Sequence, residues 1–541
     1  VRDRHRRGWS WLAALAIAGG AAGCQAADPN SPAPWIEKLG DNDQKVVIEA
    51  LDALRKLKAK DALPQVVAKL KTDDGAIRER AAAALEDMGD PRAVAPLVDA
   101  VDLGSSDKTI IRGNLKIADA LGTLGDKSAV PVLEKMLHTR DDLLKVHAVE
   151  ALGKIKDPAS VPELTAIVND EGTAPLVVKW AIIALGDMRA QEAIPALTKA
   201  LVMERQGISF FVESSYALFQ IGSPAVPVLT SIIDGSGKEY LSWAESANRV
   251  PAGFVSKAAI VLADIGDPSA IPVLVKALGW KDPNDNSVYT NLVRGKVAEA
   301  LGRLRARPAA APLASSLASI DDANMRALFA TALAHIDDRS VLPKMEAAVK
   351  NVKDTWTDRQ ETITGLALLS DAKDKALLEG VQKVETVDFA MKECMSQDSG
   401  ESDDMKQLRC KKVANERVKF MADEIARLMA GEECKQDVSC WSAKLKDPNP
   451  KIRERAAYTL GKLENPAAID ALLGACKDDT TYVRRAAYIA LDWLTRVDAA
   501  KPVLKNKSTV LAAQYEAEKS SAITMIVNED LKRVVWKTQH L

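Results

Sequence analysis

Small and apolar residues recur at three- and four-residue spacing in blocks such as Ile77-Arg-Glu-Arg-Ala-Ala-Ala-Ala-Leu85, a periodicity that predicts a helix with one apolar face. Each block runs into a short polar break and then a second apolar stretch, as in Asp126-Lys-Ser-Ala-Val-Pro131-Val-Leu133. The break carries its own signal. Asp followed by Pro, at Asp90 and Pro91, Asp157 and Pro158, and Asp267 and Pro268, is an N-cap ahead of a residue that the first helical position tolerates, so a second helix is expected to start there. The leucines that anchor the first helices are Leu54, Leu85, Leu121, Leu152, Leu185, Leu218, Leu262, Leu301, Leu333, Leu366, Leu460 and Leu491, and most intervals between them are 31 to 36 residues. A helix pair of that length buries its apolar face only by stacking on its neighbours, so the copies must share one elongated core.

The fuller pattern, Val/Ile-Arg-x-x-Ala-Ala-x-x-Leu-Gly-x-Leu-x-Asp-Pro-x-Ala-Val/Ile-Pro-x-Leu, resembles HEAT repeats of the short phycobilin-lyase type. Ile452-Arg-Glu-Arg-Ala-Ala-Tyr-Thr-Leu460-Gly461 is its clearest instance outside the first block. The resemblance implies an all-α fold, an α-solenoid of about twelve HEAT-like helical hairpins in a right-handed superhelix with one insertion. For function it implies less, because enzymes, adaptors and scaffolds all use this repeat.

The register lapses between Leu366 and Leu460, and residues 383–433 read as an insertion with a solvated helix around Lys411–Met429. A solenoid of residues 35–382 thus precedes it, repeats resume over 434–507, and residues 508–541 read as a helical tail capping the last repeat. Four cysteines crowd into the lapse. In an exported chain Cys394, Cys410, Cys434 and Cys440 are expected to form two disulfides, with Cys394 to Cys410 and Cys434 to Cys440 the preferred pairing among three. No Cys-x-x-Cys pair or nearby histidine supports a zinc site there, and Cys476 reads as a buried thiol on the apolar face of a repeat helix.

Export is read from the N-terminus. Arg2-Asp-Arg-His-Arg-Arg7 followed by Trp9-Ser-Trp-Leu-Ala-Ala-Leu-Ala-Ile-Ala18 has the basic and apolar regions of a signal peptide, expected over residues 1–23. Ala21-Ala22-Gly23-Cys24 resembles a bacterial lipobox, which implies an acylated Cys24 as the mature N-terminus and membrane attachment through lipid. Residues 24–34 then form a proline-rich tether, and Gln25 in place of Asp favours the outer membrane. The whole chain carries a formal charge of −2; residues 1–23 contribute four Arg and one Asp, which leaves −5 on the remainder. A mildly acidic chain has no general attraction for nucleic acid.

Catalytic chemistry is not apparent. The five histidines are scattered, and no His-Glu dipeptide supplies the metal-ligand pairs of HEAT-repeat hydroxylases. No phosphate loop, nucleophile elbow or zinc-protease motif occurs, so no cofactor and no metal are expected. Asp282-Pro-Asn-Asp-Asn286 lacks the glycine and glutamate of a calcium loop and reads as a capped turn. More informative are two enlarged connections, Asp234 to Ala252 and Gly279 to Asn291, where anchor spacing stretches to 44 and 39 residues. They carry Tyr240, Trp243, Trp280 and Tyr289 in a chain that is 4% aromatic, and they are expected to be neighbours on one edge. Exposed there, these side chains would anchor a protein partner; folded inward, they would fill gaps in irregular stacking. The favoured reading is a lipid-anchored scaffold for protein partners in the bacterial envelope, with a lyase-like or other enzyme-associated role as the alternative and nucleic-acid binding the least compatible with the charge.

Overall fold

The computed structural model describes residues 31–317, 320, 322–350, 355–397, 400–519 and 525–541. The expected signal peptide, Cys24 and most of the expected tether lie outside the described residues, and Ala33 and Pro34 already belong to a first helix, Ala33–Lys38. The architecture is an α-solenoid. Twelve helix pairs follow in chain order, from Gln44–Leu57 with Leu63–Ala68 to Thr481–Leu494 with Lys501–Asn506. All twelve anchor leucines lie in first helices and are 0% exposed.

Local chemistry explains the pairing. Asp90, Asp126, Asp157, Asp267, Asp338 and Asn465 each accept a hydrogen bond from the backbone N–H two residues on, at the point where the second element starts. That element opens as one 3-10 turn, such as Pro91–Ala93, before becoming α-helical at Val94. The glycine after the anchor leucine has a packing role: a Cβ on Gly461 would lie 2.6 Å from Cα of Ala490, and one on Gly302 2.9 Å from Cα of Ala332. First helices of consecutive repeats therefore meet backbone to backbone.

The chain divides into two compact units, Val1–Ala151 and Leu152–Leu541. In the first, the helices Gln44–Leu57, Gly75–Met88 and Lys108–Leu124 stack in sequence. The second unit contains the insertion and an arrangement that periodicity does not reveal. After the insertion, helices Pro450–Lys462, Thr481–Leu494 and Met525–His540 run back along the C-terminal ends of earlier first helices. Arg455 donates to the carbonyls of Ala367 (3.0 Å) and Ser370 (2.8 Å), Lys462 pairs with Asp337 (2.5 Å), and Arg496 donates to the carbonyls of Arg303 (2.6 Å) and Ala263 (3.2 Å). Farther back still, Trp536 packs on Tyr216 with ring centroids 4.5 Å apart. The tail thus does more than cap the last repeat, with its Leu531, Val534 and Val535 buried.

The insertion corrects a second expectation. It comprises the helices Val387–Ser396 and Asp403–Cys434, and the latter is not solvated all round. Its face of Cys410, Ala414, Arg417, Met421, Glu424, Arg427 and Leu428 is buried. The interface is ionic: Arg417 pairs with Glu393 (2.8 Å), Arg359 with Glu385 (2.7 Å) and Glu393 (2.9 Å), and Arg427 with Glu454 (2.6 Å). Cys394 and Cys410, and Cys434 and Cys440, stand at disulfide distance with Cα separations of 5.5 and 5.3 Å. Cys476 is buried and belongs to neither pair. Among the described residues no single helix is long and apolar enough to cross a membrane; one bent pair, Phe211–Ile221 with Ser223–Asp234, passes by length and composition and is an ordinary repeat hairpin.

Candidate functional site

The connection from Asp234 to Ala252 is not an open loop. It folds into a helix, Lys238–Ser246, because its residues alternate apolar and polar at helical spacing once Gly235 and Gly237 have ended the preceding turn. Tyr240 faces inward at 5% exposure, and burial raises its phenol above the ordinary value, so it is not available to a partner. Trp243, about one turn farther along the helix, lies half-buried, its ring 5.5 Å from the Lys199 ammonium of the second helix Ile194–Ala200.

A second element completes the wall around it. Glu204–Arg205 and Ile208–Ser209 form a two-stranded antiparallel hairpin, turned by Gln206 and Gly207 at φ of 52° and 75°. Positive φ at both central residues is the twist a two-residue hairpin needs, and the Gln-Gly pair was the signal that sequence reading passed over. Arg205 reaches back to the carbonyls of Val168 (2.9 Å) and Asp170 (2.6 Å), where it satisfies the open end of an earlier second helix. Arg249, just past the Trp243 helix, donates to the carbonyl of Glu204 at 3.2 Å. Three segments distant in sequence are thereby tied together.

Between them is a cleft of about 530 Å³ lined by Asn169, Glu171, Lys199, Met203, Glu204 and Arg205 together with Trp243, Ala247 and Arg249. It has one aromatic wall, one thioether and charges of both signs. Trp280 and Tyr289 are also half-buried and are not in its lining, and with Tyr240 turned inward the four candidate aromatics do not all line one exposed ridge. Tyr289 sits in the first turn of the helix Ser287–Arg303, capped by Asn286, and Asp282 accepts from the N–H groups of Asn284 (2.9 Å) and Asn286 (3.3 Å), which makes the Asp282–Asn286 segment a capped turn.

Titratable groups cluster elsewhere in both units. In the first unit, His147 Nδ1 is 2.6 Å from Asp119, and Lys116 bridges Asp119 (3.6 Å) and Glu86 (2.5 Å). The Asp119 carboxylate raises the His147 imidazole above its ordinary value. In the second unit, Asp492 accepts from Lys537 and stands 3.2 Å from Arg496 and 3.7 Å from Arg303, which in turn donates to Asp264 at 2.5 Å. Burial of this cluster draws Lys537 down to about 8, while its cations hold Asp492 well below the usual carboxylate range. Among the described residues no three His, Cys, Asp or Glu side chains converge as a metal site would require.

Comparison with known proteins agrees with the architecture. The chain matches HEAT repeats over residues 32–113, 111–174, 145–208 and 441–517, and a PBS lyase HEAT-like repeat over 256–279. It is 29% identical over 250 residues to a deoxyhypusine hydroxylase of Bos taurus, covering 43% of this chain and 76% of the relative. Among solved structures, the Kap95:Nup1 complex is similar at 11% identity over 93% of this chain and 70% of the other, with a TM-score of 0.44. The complex of CpcE and CpcF of phycocyanin lyase from Nostoc sp. PCC7120 is similar at 18% identity over 60% of this chain and 98% of the other, with a TM-score of 0.24.

Proposed function

We propose that this chain is a protein-binding scaffold whose partner docks in the cleft walled by Trp243, and that an acylated Cys24 tethers it to a bacterial envelope membrane, the outer membrane by the identity of Gln25. The observation that carries the docking site is the cleft itself. Its walls are held in place before any ligand arrives, since Arg205 and Arg249 tie the hairpin to the segments on either side. A preformed cleft saves part of the ordering cost of association, and a half-buried tryptophan is the kind of side chain that dominates interface energetics. HEAT repeats in the first and last parts of the chain fit the same role, because binding along a solenoid needs positioned surface and no catalytic group.

A photoreactive residue in place of Ala247, on the cleft wall, should give a discrete protein adduct in intact cells, and Trp243→Ala should abolish it. An adduct of equal yield in the Trp243→Ala background would rule the cleft out. The anchor has a separate test. Fatty-acid labelling should mark the wild-type chain and not Cys24→Ala; an unlabelled wild-type chain removes the membrane from the proposal and leaves the scaffold. The match to the PBS lyase HEAT-like repeat favours a lyase-like alternative only at the level of repeat type, and a bound pigment in the purified protein would revive it.

A further inference from the structure

A second cleft, about 350 Å³, opens where the returning C-terminal repeats meet the earlier first helices, and it is lined by Leu304, Arg305, Arg307, Ile336, Glu464, Trp493, Arg496 and Val497. Three arginines face one glutamate. Arg305 is paired with Glu464 at 2.8 Å, and Arg496 is engaged by Asp492 at 3.2 Å and by two backbone carbonyls. Arg307 is exposed and makes no hydrogen bond or ion pair among the described residues; its charge reaches the Asp338 carboxylate only at longer range, which leaves its guanidinium donors open to an anion.

The donors point the same way. Trp493 is 3% exposed, yet its buried Nε1–H has no acceptor among the described residues, and neither have Nε of Arg305 and Nε of Arg496. The edge of the indole that carries Cε3 is turned to Gly461, which leaves the pyrrole edge on the opposite side, and the Arg305 guanidinium lies 5.6 Å from the ring centroid. A buried N–H left without a partner is costly, so an acceptor supplied from outside would remove that cost.

We propose that this cleft binds a single carboxylate of an acidic peptide segment on a partner protein, with Arg307 supplying the charge and Trp493 Nε1–H and Arg305 Nε–H the hydrogen bonds. One guanidinium without an ion-pair partner matches a monoanion better than a phosphate dianion. The inference rests on the scaffold reading but not on the Trp243 cleft.

Calorimetric titration of the purified protein with hexaglutamate tests it, with inorganic phosphate in a parallel arm and Trp243→Ala, altered only in the other cleft, as control. Binding is expected to fall at least tenfold in Arg307→Ala and severalfold in Trp493→Phe, which keeps the ring and removes the donor, while Trp243→Ala binds as wild type. Absence of peptide binding overturns the proposal, as does peptide affinity unchanged in Arg307→Ala, a surface variant whose folding is not at issue. Phosphate that competes at equal affinity would also overturn it, since the cleft would then read charge alone.

Discussion

His335 is enclosed between the rings of Tyr458 and Trp493, at centroid distances of 5.1 and 5.4 Å, and burial draws its imidazole down to about 3 from an ordinary 6.5. Between those values the unfolded chain binds a proton that the folded chain does not. Stability is therefore complete above pH 6.5 and falls as pH drops toward 3, by at most about 1.4 kcal/mol per unit. Replacing His335 with Leu should flatten that part of a urea-midpoint profile; a slope unchanged from wild type would mean the imidazole is protonated in place. His147 has the opposite sign. Asp119 raises its value, so the pair's contribution is complete below 6.5 and is lost as pH rises through the folded value. Because His147 is half-buried, screening keeps the effect to a few tenths of a kcal/mol, and comparison of Asp119→Asn with wild type at pH 6 and 8 should show convergence at the higher pH. At this scale the sequence was most legible where one residue type repeats. Each anchor leucine is enclosed because the same neighbours recur around it, whereas the orientation of Tyr240 stayed open because nothing local distinguishes a tyrosine turned inward from one turned outward.

The long helix Asp403–Cys434 shows why a whole element was misread. Binary patterning takes charge as a mark of solvent, and this helix buries Arg417, Glu424 and Arg427, whose counter-charges come from Glu385 in a connection, from Glu393, Glu454 and Lys451 on other helices, and from each other in the Glu424–Arg427 pair. Only the partner sequences, up to tens of residues away, make the pattern intelligible as an interface. Removing one partner of such a pair leaves an uncompensated buried charge, so Arg427→Met should cost about 3–5 kcal/mol, measured by chemical denaturation, and the double replacement with Glu454→Leu should recover much of it. The pairing of Cys394 with Cys410 acts on the same element. With 16 residues of separation, chain-entropy arguments give about 3 kcal/mol from closing that loop. Cys394→Ser with Cys410→Ser should lower the denaturation midpoint accordingly and release the Val387–Ser396 helix to faster hydrogen exchange, while exchange in the first unit stays as it was.

In a simple solenoid each repeat touches only its neighbours, so a local defect stays local. The second unit departs from that rule through its returning helices, and Asp492 is where the departure is concentrated. Its carboxylate serves Lys537 and Arg496 and faces Arg303, which is held by Asp264; Arg533 adds a contact to Asp264 at 3.5 Å. Residues more than two hundred positions apart in the chain thus share one buried charge balance. Spacing in the sequence announced the repeats but carried no sign of this, because the ionic contacts involve non-repeated residues at helix ends. Asp492→Ala takes a counter-ion from buried Lys537 and Arg303 and from the half-buried Arg496, at a cost of about 3–5 kcal/mol. The location of the damage is the stronger test. Amide exchange should accelerate in Pro251–Ile265 and Ser287–Arg303 as well as in Thr481–Leu494 and Met525–His540, with the intervening pairs less affected. Acceleration confined to the helices after residue 450 would mean that the returning block does not hold the earlier repeats in solution, and that each part of the unit stands by nearest-neighbour packing alone.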